Sequence, residues 1–149
     1  MGLVYYEDIE LNHKISIGEY YVDKEEMIEF SKKWDVRPFH IDEESAKSHP
    51  NGGLFAPLTY TMAIVTRLRS IRETPLIAYL AGLGFEKVQV FKPVRPGDRL
   101  VVTEEQLEKR KSRTNPARGI VRTLNEVKNQ NDELCVSLVS LALVSKRPG

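Results

Sequence analysis

The sequence predicts an α+β domain in which an antiparallel sheet wraps one buried helix, and three observations carry that prediction. The chain has 149 residues, a length that suits one domain, 1–149, because domains cluster at about 100 to 150 residues. The run from Pro57 to Arg69 holds Leu58, Met62, Ala63, Ile64, Val65 and Leu68; apolar on most sides, it reads as a helix buried all round. Beyond it the pattern changes to strands, at Gly84 to Phe91, Arg99 to Arg110, Gly119 to Asn129 and Glu133 to Ser145. Strands gathered after one buried helix imply this architecture.

Each element has its own local reason. Ile15 to Val22 is rich in β-branched and aromatic residues and suits a first strand. Asp23 can then cap a helix while Glu26 reaches back in the manner of a capping box. Met27, Phe30, Ser31 and Trp34 share one face of that helix, which ends near Asp35. Arg37 must leave the helix, because Pro38 disfavours the α conformation in the residue before it. Asp42 can cap a second short helix through Ala46, and Pro50-Asn51-Gly52-Gly53 is a turn before the long helix. Pro93, Pro96-Gly97-Asp98, Asn115-Pro116 and Asn129-Gln130-Asn131-Asp132 punctuate the strands. Long strands on either side of Lys111 to Arg118 suggest an extended hairpin.

Composition narrows the classes of function. The formal net charge is +1, so no global field draws in nucleic acid or an anionic membrane. No phosphate-binding glycine loop is present, and no His or Cys spacing suits a metal. The single Cys135 lies in an apolar run and reads as structural. The start of the sequence lacks a basic region followed by an apolar run, and no stretch reaches the ~18 apolar residues of a membrane span. A cytoplasmic protein without metal or cofactor is the expectation.

The segment Asp35-Val36-Arg37-Pro38-Phe39-His40 places a carboxylate and an imidazole five residues apart across a proline turn. Such a turn can fold both side chains toward one point. Hydration of an alkene conjugated to a thioester needs a base for water and an acid for the carbon beside the carbonyl, and Asp with His suits both tasks. The plainer alternative is that Asp35 caps the helix end or pairs with Arg37 while His40 bonds the backbone. Gly52-Gly53, just before the buried helix, offers close backbone approach and amides at a positive helix end, which favours an oxyanion. A plain turn explains the same glycines. Lys109, Arg110, Lys111, Arg113 and Arg118 form a basic hairpin, and Arg67, Arg69 and Arg72 follow the central helix; such groups can hold phosphates or form a solvated face.

The segment Phe30 to Glu43 resembles the hydratase signature of the MaoC-like family, in which Asp, four residues, His and a nearby Asp recur. Gly52-Gly53-Leu54-Phe55-Ala56 sits where that family begins its central helix, and Pro93-Val94-Arg95-Pro96-Gly97-Asp98-Arg99-Leu100 looks like its strand-start motif. The hairpin from Glu108 to Asn129 is also similar. The resemblance runs from Tyr5 to about Val144 and implies a hot-dog fold, with a sheet around a long helix and two subunits joining their sheets. It implies catalytic roles for Asp35, His40 and Gly53, and substrate contacts from Pro38, Phe39, Gly52, Leu54, Ala56 and Arg118. The implied reaction interconverts a trans-2-enoyl thioester and a 3-hydroxyacyl thioester, with coenzyme A present only as part of the substrate. The implied assembly is a homodimer or higher homo-oligomer with each active site near the subunit boundary. Thioester hydrolysis and non-catalytic thioester binding are the competing functions. Pro57, Thr59 and Tyr60 depart from the family pattern, in which a small residue and a His are common at these places.

Overall fold

Alternation decides the sheet. In the computed structural model, which describes residues 2–72 and 74–149, β1 (Lys14–Tyr21), β2 (Tyr79–Val90), β3 (Arg99–Lys111), β4 (Arg118–Lys128) and β5 (Leu134–Ser145) form one sheet in the order β1-β3-β4-β5-β2. All four ladders are antiparallel. Along β3 and β4 every second side chain is buried over most of the strand, as a sheet with one covered face requires.

The covering element is the helix α4 (Leu58–Ile71), whose Tyr60, Ile64, Val65 and Leu68 pack with Ile17, Leu100, Val102, Val127, Val136 and Leu138. Burying each such side chain contributes roughly 1.5 to 3 kcal/mol. The expected all-round burial of this helix is corrected: Thr59, Ala63, Thr66, Arg67 and Ser70 are exposed, because the sheet covers one side only. Gly18 marks the close approach. It lies in a bulge of β1 at φ +144, and a Cβ there would come within 3.1 Å of Leu68.

Helix α1 (Lys24–Trp34) begins as expected, with the Asp23 side chain accepting from the Glu26 N–H at 3.0 Å. The reciprocal half of the capping box is not made. The Glu26 carboxylate instead accepts from the hydroxyls of Tyr20 and Tyr60, each at 2.6 Å, charge-assisted bonds that outweigh an exposed backbone contact. Burial and then Glu26 push the Tyr60 hydroxyl well above its ordinary pKa, and α1 is thereby tied to α4 and β1.

Three further local features differ from the sequence reading. Pro38 starts a one-turn helix, α2 (Pro38–Ile41), for which proline at the first position is well suited. β2 begins at Tyr79 rather than Gly84; its burial pattern shows almost no alternation, so no period-2 signal announced it. Arg67 and Arg69 lie inside α4 rather than after it. Asp42 does cap α3 (Glu43–Lys47), accepting from the Glu44 N–H at 3.2 Å. Cys135 is buried in β5, where burial pushes its thiol up to about 11. Among the described residues no helix is long and apolar enough to cross a membrane.

Candidate active site

The end of α1 and the turn after it deliver Asp35. Its N–H donates to the Ser31 carbonyl at 2.8 Å and its backbone leaves the helix at φ −151. Arg37 is extended at ψ 135 because Pro38 follows. One turn of α2 then brings back His40, only 3% exposed. His40 Nε2 lies 3.5 Å from Asp35 Oδ2.

The other edge of the imidazole is held. His40 Nδ1 is 2.7 Å from the Phe55 carbonyl oxygen, and a carbonyl only accepts, so Nδ1 carries a proton. In the neutral ring Nε2 then presents a lone pair to a carboxylate oxygen. Two acceptors facing each other call for a shared donor, and a water giving one hydrogen to each fits that demand. Both plainer contacts foreseen for these residues are made, yet they leave His40 Nε2 and Asp35 Oδ2 facing one another.

Arg37 makes the other contact. Its Nε donates to Asp35 Oδ1 at 2.6 Å and its Nη2 to Oδ2 at 2.5 Å. These hydrogen bonds hold the Asp35 carboxyl below the usual carboxylate range, against the opposing effect of burial. The Arg37 side chain itself is 66% exposed.

Asp35 and His40 line an open cavity of about 360 Å³. Phe39, Phe55, Ala56 and Leu58 form one wall, Val90, Phe91, Val94 and Val136 another. Phe39 and Phe55 stack at 5.3 Å and 13°, and each meets the His40 ring edge-on. Leu58 opens α4, whose N-cap Pro57 supplies no side-chain acceptor. The first turn of that helix lines the cavity through Leu58 and Thr61, and the positive end of a helix favours a developing oxyanion.

Among the residues singled out from the sequence, Asp35, His40, Phe39 and Ala56 meet at this cavity. Pro38 is exposed at the start of α2, and Leu54 is turned into the core. Gly52 and Gly53, at φ +74 and +141, form the loop behind Phe55 rather than the lining. Arg118 pairs with Ser145 at the far end of β5, nine residues from the Val136 of the cavity, which at ~3.3 Å per residue is about 30 Å. Within one chain Arg118 does not line the cavity of Asp35. The basic hairpin is also used otherwise, for Lys109 Nζ donates to the carbonyls of Tyr6 and Ile9 at 3.1 Å. The sequence reading missed Phe55, Val90, Phe91 and Val136. Phe55 alone had a signal, its place directly after the glycine loop. Of the departures noted, Tyr60 is committed to Glu26, Thr59 is exposed, and the next residue, Thr61, lines the cavity.

Comparison with known proteins places this geometry in a family. The model of the MaoC like domain matches residues 9–129. A MaoC-like dehydratase from Rhodospirillum rubrum superimposes with a TM-score of 0.91 at 30% identity, over 97% of this chain and 99% of the other. An R-hydratase from Pseudomonas aeruginosa shares the fold, with a TM-score of 0.72 at 22% identity over 97% and 88% of the two chains. A UPF0336 protein of Streptomyces griseus is 30% identical over 126 residues, 81% of this chain and 82% of its own length. The five-stranded antiparallel sheet around α4 is a hot-dog fold, and the chain belongs to the MaoC-like dehydratase family.

Proposed function

We propose that the protein is a hydro-lyase that interconverts a trans-2-enoyl thioester and a 3-hydroxyacyl thioester, with residues 1–149 acting as one domain. One observation carries this reading: the lone-pair edge of His40 faces Asp35 Oδ2 across 3.5 Å at the head of a largely apolar cavity. A water donating to both groups is positioned as the nucleophile. Asp35 takes its proton as the oxygen bonds C3, and the displaced electron pair moves to the thioester oxygen. Amides at the start of α4 stabilise that oxygen. His40 orients the water and shuttles the proton on to C2, so that water is added whole and the protein is regenerated. The product of (R) configuration is the one consistent with the family resemblance. Coenzyme A enters only as the carrier of the substrate's acyl group, and the protein is expected to act in the cytoplasm.

The acting unit in this proposal is a homodimer joined along β2. That strand closes one edge of the sheet, and its Leu80, Leu83, Phe85 and Val90 are each about half exposed. An uncovered, apolar edge strand is what a second sheet can pair with.

The test follows the conjugated enoyl-thioester absorbance with crotonyl-CoA and longer analogues while free thiol is measured in parallel. Loss of absorbance without thiol release, abolished in Asp35→Asn and in His40→Ala, is the expected result. Thiol release would convert the reading to a thioesterase. Tight binding without turnover, unchanged by Asp35→Asn, would make the protein a binding subunit.

A further inference from the structure

Arg95, in the turn that leads into β3, reaches across to the loop before α4. Its Nη1 donates to the Leu54 carbonyl at 3.3 Å, and its Nη2 donates to the Asn51 carbonyl. These carbonyls bracket Gly52-Gly53. A Cβ on Gly53 would sit 3.4 Å from Nη1, in van der Waals contact with the guanidinium. Next to Arg95 in sequence, the Val94 carbonyl accepts from the Ala56 N–H at 2.8 Å. The segment 51–56 is thus held at three points by two consecutive residues.

Arg95 is itself anchored. Its N–H donates to Asp98 Oδ2 at 2.8 Å, and Asp98 Oδ1 accepts from Gln130 at 3.1 Å. Asp98 is 7% exposed. Between the two clamped sites, Leu54 and Ala56, lies Phe55, whose carbonyl receives the His40 Nδ1–H at 2.7 Å.

We infer that Arg95 is a positioning residue: by gripping the Asn51 and Leu54 carbonyls it sets the Phe55 carbonyl that holds His40 in its Nδ1–H form. If that carbonyl drifts, the ring is free to carry its proton on Nε2. An Nε2–H would donate directly to Asp35 and close the place meant for water. The planar fork of arginine reaches two carbonyls at once, which the single ammonium of lysine cannot reproduce. The kinetic consequence rests on the hydratase reading above; the tautomer assignment does not.

The experiment is ¹⁵N NMR of histidine-labelled full-length wild type, Arg95→Lys and Arg95→Met, with His40 identified by the signal missing from His40→Gln. The expected wild-type spectrum shows a protonated Nδ1 and a bare Nε2 on His40. In Arg95→Met the two nitrogens exchange roles or average, with the His13 signal unmoved, and Arg95→Lys falls between. With crotonyl-CoA, kcat falls about 10- to 100-fold in Arg95→Met while KM changes less than about twofold, the mark of misplacement rather than lost binding. A folded Arg95→Met, or a folded Arg95→Lys should the first not fold, with the wild-type His40 pattern would overturn the inference. A tautomer shift in a protein without hydratase activity would uphold Arg95's role and sink the function proposed for the site.

Discussion

The two ends of α4 each carry a buried ionisable cluster, and the clusters are built to opposite ends. At the N-terminal end Asp35 and His40 face each other across 3.5 Å at an open cavity. At the C-terminal end Glu104 is only 1% exposed. Arg72 Nη1 and Gln106 Nε2 reach its Oε1, while Arg69 Nε lies 3.4 Å from its Oε2. Thr123 then donates to Gln106 at 2.6 Å, and Arg69 donates to the Tyr79 hydroxyl at 2.6 Å. The first cluster opens onto a cavity that can take a ligand. The second pairs most of its polar atoms within the cluster, Arg72 Nε and Glu104 Oε2 being left without a hydrogen bond, and ties α4, β2, β3 and β4 together.

The sharpest way to test that contrast is to remove Glu104. Glu104→Ala leaves two arginines in the interior without their counter-charge, and breaking a buried pair from one side costs about 3 to 5 kcal/mol. Chemical denaturation should show a loss of that size, while the molecules that remain folded keep their kcat. Stability within error of wild type would mean that the cluster is idle. Asp35→Asn should give the mirror image. General-base loss lowers kcat by about 10² to 10⁴-fold, whereas the denaturation midpoint should hardly move, because the Arg37 side chain paired with Asp35 is 66% exposed. A variant that lost activity only in proportion to lost folded protein would erase the distinction between the two ends.

A second contrast sets β2 against β4. β4 is paired on both sides and alternates strictly, whereas β2 is paired on one side and exposed along almost its whole length. Leu83→Lys and Phe85→Lys place charges on that open edge, which opposes pairing with a second sheet. Light scattering should show the two-chain mass giving way to one chain, with dissociation favoured about tenfold or more, equivalent to about 1.4 kcal/mol. An unchanged mass would move the subunit boundary elsewhere.

How far the sequence could be read follows from the reach of each signal. Caps, proline placement and helical spacing act within a few residues, so the start of α1 and the escape at Arg37 were legible, whereas the Asp35–His40 pair was favoured only through the family resemblance. The cavity was not, because Val90, Phe91 and Val136 reach Asp35 only through sheet closure. Glu104 stands in the polar run Thr103-Glu104-Glu105-Gln106, which resembles a solvated strand. Its burial depends on Arg69 and Arg72 arriving from more than 30 residues away in the chain. The all-round apolar look of α4 misled for a related reason: Ala63 on the outer face is apolar yet exposed in the single chain, and nothing within the helix says which side the sheet will cover.

The smallest expected effect concerns Arg37. Its hydrogen bonds are the largest cause of the lowered Asp35 pKa, and the lowered value keeps the carboxylate ionised as pH falls. A base must be ionised to work, so Asp35 itself limits kcat/KM only where the medium is acidic enough to protonate it. Arg37→Gln removes the main cause and lets the carboxyl rise, which moves the acidic limb of the pH profile to higher pH. The stability linked to this carboxylate runs the same way: with its folded pKa depressed, it is present above the unfolded value and is lost as pH falls through the folded one. Removing Arg37 should narrow that window from the acidic side, and the stronger base should leave the plateau rate at neutral pH equal to or above wild type. An acidic limb that stays in place while the plateau drops would show that Arg37 serves the reaction by contact with the substrate rather than by holding Asp35 ionised.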